Sequence, residues 1–243
     1  MKPLIEAHRG DSGNAPENTL AAFARALNLG VPWIELDVHP AADGTLMVIH
    51  DDTVDRTTDG SGAVGDLTVD ELSRLDAGVG FSTIYTGERI PRFLDVLELV
   101  APTQTRINVE IKRPPKGMDV ARGVVDCLCA FGKQHEYTVS SFDMQTLLDV
   151  RKIDPRITLA PIGKMPDILT KAERHGFPWV HGEQSTVTRE AIARAHEQGI
   201  RVNVWTVDDP ERLPFWMDAG VDKICTNQPA FLLDAGRHLA WRS

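Results

Sequence analysis

Short runs rich in Val and Ile recur along this chain, and nearly every one is followed by a longer stretch in which apolar residues return at every third or fourth position. The first pattern is that of a strand, the second that of a helix lying on a sheet. Strands are therefore expected over residues 4–7, 33–38, 106–112, 137–141, 157–161, 179–182, 201–207 and 223–226. Helices are expected over 19–29, 118–131, 144–152, 166–175, 189–198, 210–219 and 229–240, with Gly30 closing the first. The span between 38 and 106 is too long for one helix. It holds a strand-like run at 45–50, a turn-rich stretch at 51–65 and short helical patterns around 69–75 and 92–100.

Eight strands each followed by a helix are what a (β/α)₈ TIM barrel needs, and 243 residues match its usual size of about 250. Helical crossovers also dictate a parallel sheet covered by helices, which leaves strand ends as the place for charge. The expected organisation is one barrel domain over residues 1–243, with about 51–89 as a small insertion after the second strand. An open doubly wound sheet is the runner-up. It calls for a glycine-rich phosphate loop after the first strand, and no G-x-G-x-x-G follows residues 4–7.

Charge interrupts two of these strands at a telling spacing. Residues two apart on a strand share a face, so Glu35 and Asp37 point the same way, and so do Glu110 and Lys112. Two carboxylates on one face resist burial unless a cation lies between them. For an isolated E-x-D the ordinary explanation is a solvated sheet face, but a covered parallel sheet offers no such face. Hard oxygen donors of this kind suit Mg²⁺ or Ca²⁺ rather than a thiolate metal. His8 with Arg9 ends the first strand and His50 follows the 45–50 run, while Trp205 lies late in the seventh strand. A histidine pair can hold one proton donor and one acceptor near neutrality. His39 shares the face of Asp37 but is left outside the catalytic set, and packing or surface roles are the default for His135, His175, His181, His196 and His238.

Composition narrows the partners. A formal charge of −9 argues against a nucleic-acid surface, although local cations such as Arg9 and Lys112 still admit a small anionic substrate. No apolar run approaches the roughly 20 residues of a membrane span, and Met1-Lys2-Pro3 leads straight into a strand, so no membrane partner and a cytoplasmic location are expected. Cys127, Cys129 and Cys225 are odd in number and lie in apolar stretches, which predicts buried reduced thiols rather than a disulfide or zinc site.

The motifs Ala7-His8-Arg9-Gly10, Pro16-Glu17-Asn18-Thr19, Glu35-Leu36-Asp37-Val38 and His50-Asp51 resemble those of glycerophosphodiester phosphodiesterases. The resemblance continues through Arg56-Thr57-Thr58-Asp59-Gly60, Val109-Glu110-Ile111-Lys112, Val204-Trp205-Thr206-Val207 and Thr226-Asn227-Gln228-Pro229. It implies hydrolysis of a glycerophosphodiester to sn-glycerol 3-phosphate and an alcohol. It further implies one divalent cation, Mg²⁺ or Ca²⁺, on Glu35, Asp37 and Glu110, with His8 and His50 as general acid and base and Arg9 and Lys112 on the phosphate. Glu17 would join the metal site or orient Arg9, and Trp205 would be a core residue or an apolar wall against glycerol carbons. Arg92 and Asn227 depart from residues common in similar proteins, and neither is expected to supply the chemistry. A lysophospholipase D-like enzyme and a catalytically silent binding barrel are the rival readings.

Overall fold

The computed structural model describes residues 2–113 and 118–239. Nine strands form one sheet: β1 (Leu4–His8), β2 (Trp33–Pro40), β3 (Leu46–Val48), β4 (Arg106–Ile111), β5 (Thr138–Ser141), β6 (Thr158–Gly163), β7 (Trp179–Glu183), β8 (Arg201–Trp205) and β9 (Lys223–Thr226). Eight of them, all but β3, pair in parallel, and β1 pairs with both β2 and β9, so the sheet closes into a barrel. The expected (β/α)₈ barrel is what the chain forms.

Around it lie α1 (Leu20–Leu29), α2 (Val69–Leu72), α3 (Phe93–Val100), α4 (Val120–Ala130), α5 (Met144–Ile153), α6 (Asp167–His175), α7 (Arg189–Glu197), α8 (Leu213–Ala219) and α9 (Pro229–Leu239). The α1 boundaries follow from its caps. Thr19 Oγ1 accepts the Ala22 N–H at 3.3 Å, and Gly30 takes the left-handed conformation at the other end. Ala240, the expected last residue of the final helix, lies outside the described residues.

Strand alternation separates the core from the site. Ile34, Leu36 and Val38 on β2, and Ile107, Val109 and Ile111 on β4, face the helices in the main apolar cluster with Phe23, Phe93 and Leu97. Removing each such side chain from water contributes about 1.5–3 kcal/mol. The alternate positions, Glu35, Asp37, Asn108, Glu110, His181 and Asn203, are buried inside the barrel. A barrel interior is ordinarily filled with branched apolar residues; this one is polar.

Three expectations change. The 45–50 run forms only the three residues of β3, antiparallel to β2 with Val38 opposite Val48, because Gly44 turns the chain straight back on itself. That pairing prolongs β2 to Pro40, so Glu35 and Asp37 lie within the strand rather than at its end. The segment after β3 packs Val54, Val64, Leu72 and Ile90 against Met47 of β3 in a small apolar cluster of its own. Of the three thiols only Cys225 is buried; Cys127 is half-buried and Cys129 exposed, since residues two apart on α4 project about 200° from each other.

Candidate active site

The turn that leaves β1 is held in an uncommon backbone conformation. Arg9 has φ +55° and Gly10 φ +83°, and a Cβ at Gly10 would stand 2.6 Å from the backbone of Ala22, so only glycine fits there. This turn aims the Arg9 N–H at Glu35 Oε2, 3.0 Å away. The Arg9 guanidinium reaches Glu17 Oε1 at 2.9 Å and Asp37 Oδ2 at 3.2 Å. Asn18, also left-handed at φ +58°, donates from Nδ2 to the same Asp37 oxygen at 2.8 Å. Lys112, just past β4, lies 2.7 Å from Asp37 Oδ1 and also donates to Glu110.

Oxygens of Glu35, Asp37 and Glu110 thus lie within 4.8 Å of one another, with Asp37 beside Glu110 in the strand register. Burial pushes the Glu35 carboxyl well up, reinforced by Asp37 and Glu110. Burial and the Asp37 charge push Glu110 up to about 7. Burial acts on Asp37 in the same sense, but Lys112, Arg9 and His50 outweigh it and hold that carboxyl below the usual range. Glu35 Oε1 is buried with no hydrogen-bond partner. Three hard carboxylates, one with an orphaned oxygen and two resisting ionisation, fit a divalent cation.

His8 and His50 both line one cavity of about 110 Å³ with Glu35, Glu110 and Lys112. His8 Nδ1 is 2.7 Å from Asn227 Oδ1, and His50 Nδ1 is 2.6 Å from Asp51 Oδ1. Burial lowers the pKa of both rings. Arg56 ties the two sides of the mouth together. Its Nε donates to Asp51 Oδ2 at 2.7 Å, and Nη1 and Nη2 donate to the Glu17 carboxylate at 2.9 and 2.8 Å. Glu17 thus sits between the Arg9 and Arg56 guanidinium groups, beside the three clustered carboxylates.

Trp205 is half-buried at the cavity wall. Its Nε1 donates to the His181 carbonyl at 3.0 Å, and its ring stands edge-on to Phe142, with centroids 5.9 Å apart. Three contributions were not legible from spacing or composition. His181 is buried and lines the cavity, and burial with the charge of Lys223 holds its pKa well down. His39, outside the catalytic set, donates from Nε2 to the His50 carbonyl at 3.0 Å. Asn227, expected to stand apart from the chemistry, touches His8 instead, because β9 closes the barrel against β1. Arg92 merely caps α3 through Asp95.

A sequence profile of the glycerophosphoryl diester phosphodiesterase family matches residues 8–231. A glycerophosphodiester phosphodiesterase of Caldanaerobacter subterraneus is 38% identical, over 98% of this chain and 99% of the relative. An Oleispira antarctica phosphodiesterase solved in complex with the product sn-glycerol-3-phosphate superposes with a TM-score of 0.90 at 29% identity, covering 97% of each chain. A glycerophosphodiester phosphodiesterase from Agrobacterium tumefaciens superposes with a TM-score of 0.84 at 30% identity, covering 97% of this chain and all of the other. The barrel, the acidic cluster at its mouth and these matches agree: the chain belongs to the glycerophosphoryl diester phosphodiesterase family.

Proposed function

We propose that this enzyme hydrolyses glycerophosphodiesters to sn-glycerol 3-phosphate and an alcohol. The observation that carries the reading is the cluster of Glu35, Asp37 and Glu110, of which Glu35 and Glu110 line one cavity with two imidazoles and two cationic side chains. The sn-glycerol-3-phosphate held by the Oleispira protein supports the substrate class. Glu35, Asp37 and Glu110 hold one divalent cation, Mg²⁺ or Ca²⁺. When bound, it supplies positive charge to a phosphoryl oxygen as the transition state forms.

Arg9 and Lys112 hold the phosphate by charge. Glu17, pinned by Arg56, fixes the angle from which Arg9 approaches. Of His8 and His50, one withdraws the proton from the nucleophile and the other delivers one to the departing alkoxide. Both rings are anchored through Nδ1, which leaves Nε2 for proton exchange. Trp205 walls the cavity against the glycerol carbons. Residues 51–89 act as an insertion that brings Arg56 to the site rather than as a separate domain.

Phosphorus NMR on glycerophosphocholine tests the reaction: phosphate monoester should accumulate, and chelator should stop it. His8→Ala and His50→Ala should each lower kcat by roughly 10² to 10⁴ while circular dichroism stays native. A folded variant of either that turns over at the wild-type rate removes that residue from the mechanism. One observation favours a second, lipid-bearing substrate class. Val79, Phe81 and Ile84 are 47%, 46% and 81% exposed, close to Tyr85, whose hydroxyl donates to the Asn14 carbonyl in the β1 loop at 2.9 Å. Lysophosphatidylcholine assayed beside glycerophosphocholine separates the two.

A further inference from the structure

His8 and His50 are held by partners of different kinds. Asp51, beside His50, is a carboxylate and can only accept a hydrogen bond. Asn227, beside His8, carries an amide, which can offer either its oxygen or its NH₂. Whichever end it offers decides which nitrogen of the neutral His8 ring bears the proton.

That choice is made one residue further out. Asp208 follows β8, and its Oδ2 lies 2.7 Å from Asn227 Nδ2. Its Oδ1 accepts the Asn227 backbone N–H at 2.7 Å and the Thr226 hydroxyl at 3.1 Å. A carboxylate has no proton to give, so the NH₂ of Asn227 must face Asp208. The amide oxygen then faces His8, and an amide oxygen can only accept. The His8 proton therefore sits on Nδ1, and Nε2 carries the lone pair on the side of Glu35 Oε2, 3.9 Å away. Inverting the amide would set two acceptors 2.7 Å apart at Asp208.

Ser12 does not settle the matter. Its hydroxyl lies 2.9 Å from Asn227 Oδ1 and 2.7 Å from the His8 carbonyl, and a hydroxyl serves either end of an amide. The backbone does keep the three side chains in register. The Gly13 N–H donates to the Asn227 carbonyl at 2.8 Å, and a Cβ at Gly13 would stand 2.6 Å from that oxygen.

We propose that Asp208 is a positioning residue for the hydrolysis: acting through Asn227, it fixes the neutral His8 ring with its proton on Nδ1, so that Nε2 is free to exchange a proton in the cavity. The inference rests on the reading of His8 as a proton-transfer group.

Three variants and two readouts test it. Asp208→Asn gives the Asn227 amide a partner that can also donate, and so releases it to invert. Asn227→Asp sets two carboxylates face to face. The double variant exchanges the roles of amide and carboxylate and restores a lone acceptor toward His8. Long-range proton–nitrogen NMR of histidine-labelled protein, with His8 assigned by its loss in His8→Ala, reports which ring nitrogen is protonated. Kinetics on glycerophosphocholine report turnover.

The wild-type ring should be protonated on Nδ1. Asp208→Asn should move the proton toward Nε2 and lower kcat by about 10², the lower end of what positioned proton transfer contributes, with KM little changed. The double variant should recover both signals. A wild-type ring protonated on Nε2 overturns the proposal, as does a ring unmoved by Asp208→Asn. The wild-type spectrum decides even if a single variant fails to fold. A proton that moves while turnover stays normal overturns instead the proton-transfer role of His8, and the two failures are thereby distinguished.

Discussion

Two groups of buried charge lie inside the same barrel, one above the other, and they are balanced differently. The lower group sits where the strands begin. Lys223 opens β9 and donates to Glu6 Oε1, Asn203 donates to Glu6 Oε2 at 2.7 Å, and the Lys223 ammonium lies 4.2 and 5.2 Å from the ring centres of Trp33 and Trp179. One acid meets one base, and both oxygens of the acid are satisfied. In the upper group three carboxylates, Glu35, Asp37 and Glu110, face two cations, Arg9 and Lys112. One Glu35 oxygen is left without a partner. The lower group is a finished piece of interior; the upper has one carboxylate more than it has cations.

The largest effect should come from unbalancing the lower group. Lys223→Met leaves Glu6 buried and unpaired, which costs about 3–5 kcal/mol of stability. Adding Glu6→Gln to the same chain should recover most of it. Urea unfolding of both variants measures this, and a Lys223→Met protein as stable as wild type would mean that the pairing is incidental.

Next in size is the response to a divalent cation. Saturation to a hundredfold above the dissociation constant should stabilise the protein by about 2.7 kcal/mol. The gain should persist in Glu6→Gln/Lys223→Met and shrink in Glu110→Gln. Thermal melts with chelator, Mg²⁺ and Ca²⁺ make the comparison. Equal gains in all three proteins would place the ion elsewhere.

The smallest effect is one of pH in the metal-free protein. Glu110 is raised from 4.5 to about 7 on folding, so between those values the native state binds the proton more tightly than the unfolded chain does. Stability from this group is present below about 4.5 and is lost as pH rises to about 7. Relative to wild type, Glu110→Gln should therefore gain roughly 1–3 kcal/mol across that window and nothing further above it. A pH-independent difference between the two would show that Glu110 ionises as freely as an exposed carboxylate.

The sequence made the upper group easier to see than the lower. Glu35 and Asp37, and Glu110 and Lys112, are two apart on single strands, and that spacing alone puts each pair on one face. Alternation likewise separated Ile34, Leu36 and Val38 from the interior. Period two says nothing of strand direction, so the antiparallel β3 was not legible. Glu6 and Lys223 are 217 residues apart, and no local pattern announces a contact that exists only because β1 and β9 are neighbours. Arg56 was legible as part of a motif, but its two-sided grip on Glu17 and Asp51 depends on how a turn-rich segment packs. The exposure of Cys129 depends on how α4 rotates against the sheet.

The seam between β1 and β9 also sets an order of events. The carboxylates, Arg9, Lys112 and His50 all belong to the first half of the chain, yet the amide that holds His8 is 219 residues downstream of it. A polypeptide emerging from the ribosome therefore carries nearly the whole constellation long before it can align that ring. The last strand to be synthesised is the one that closes the barrel, so a chain cut short before β9 keeps the three carboxylates but leaves the histidine without its amide.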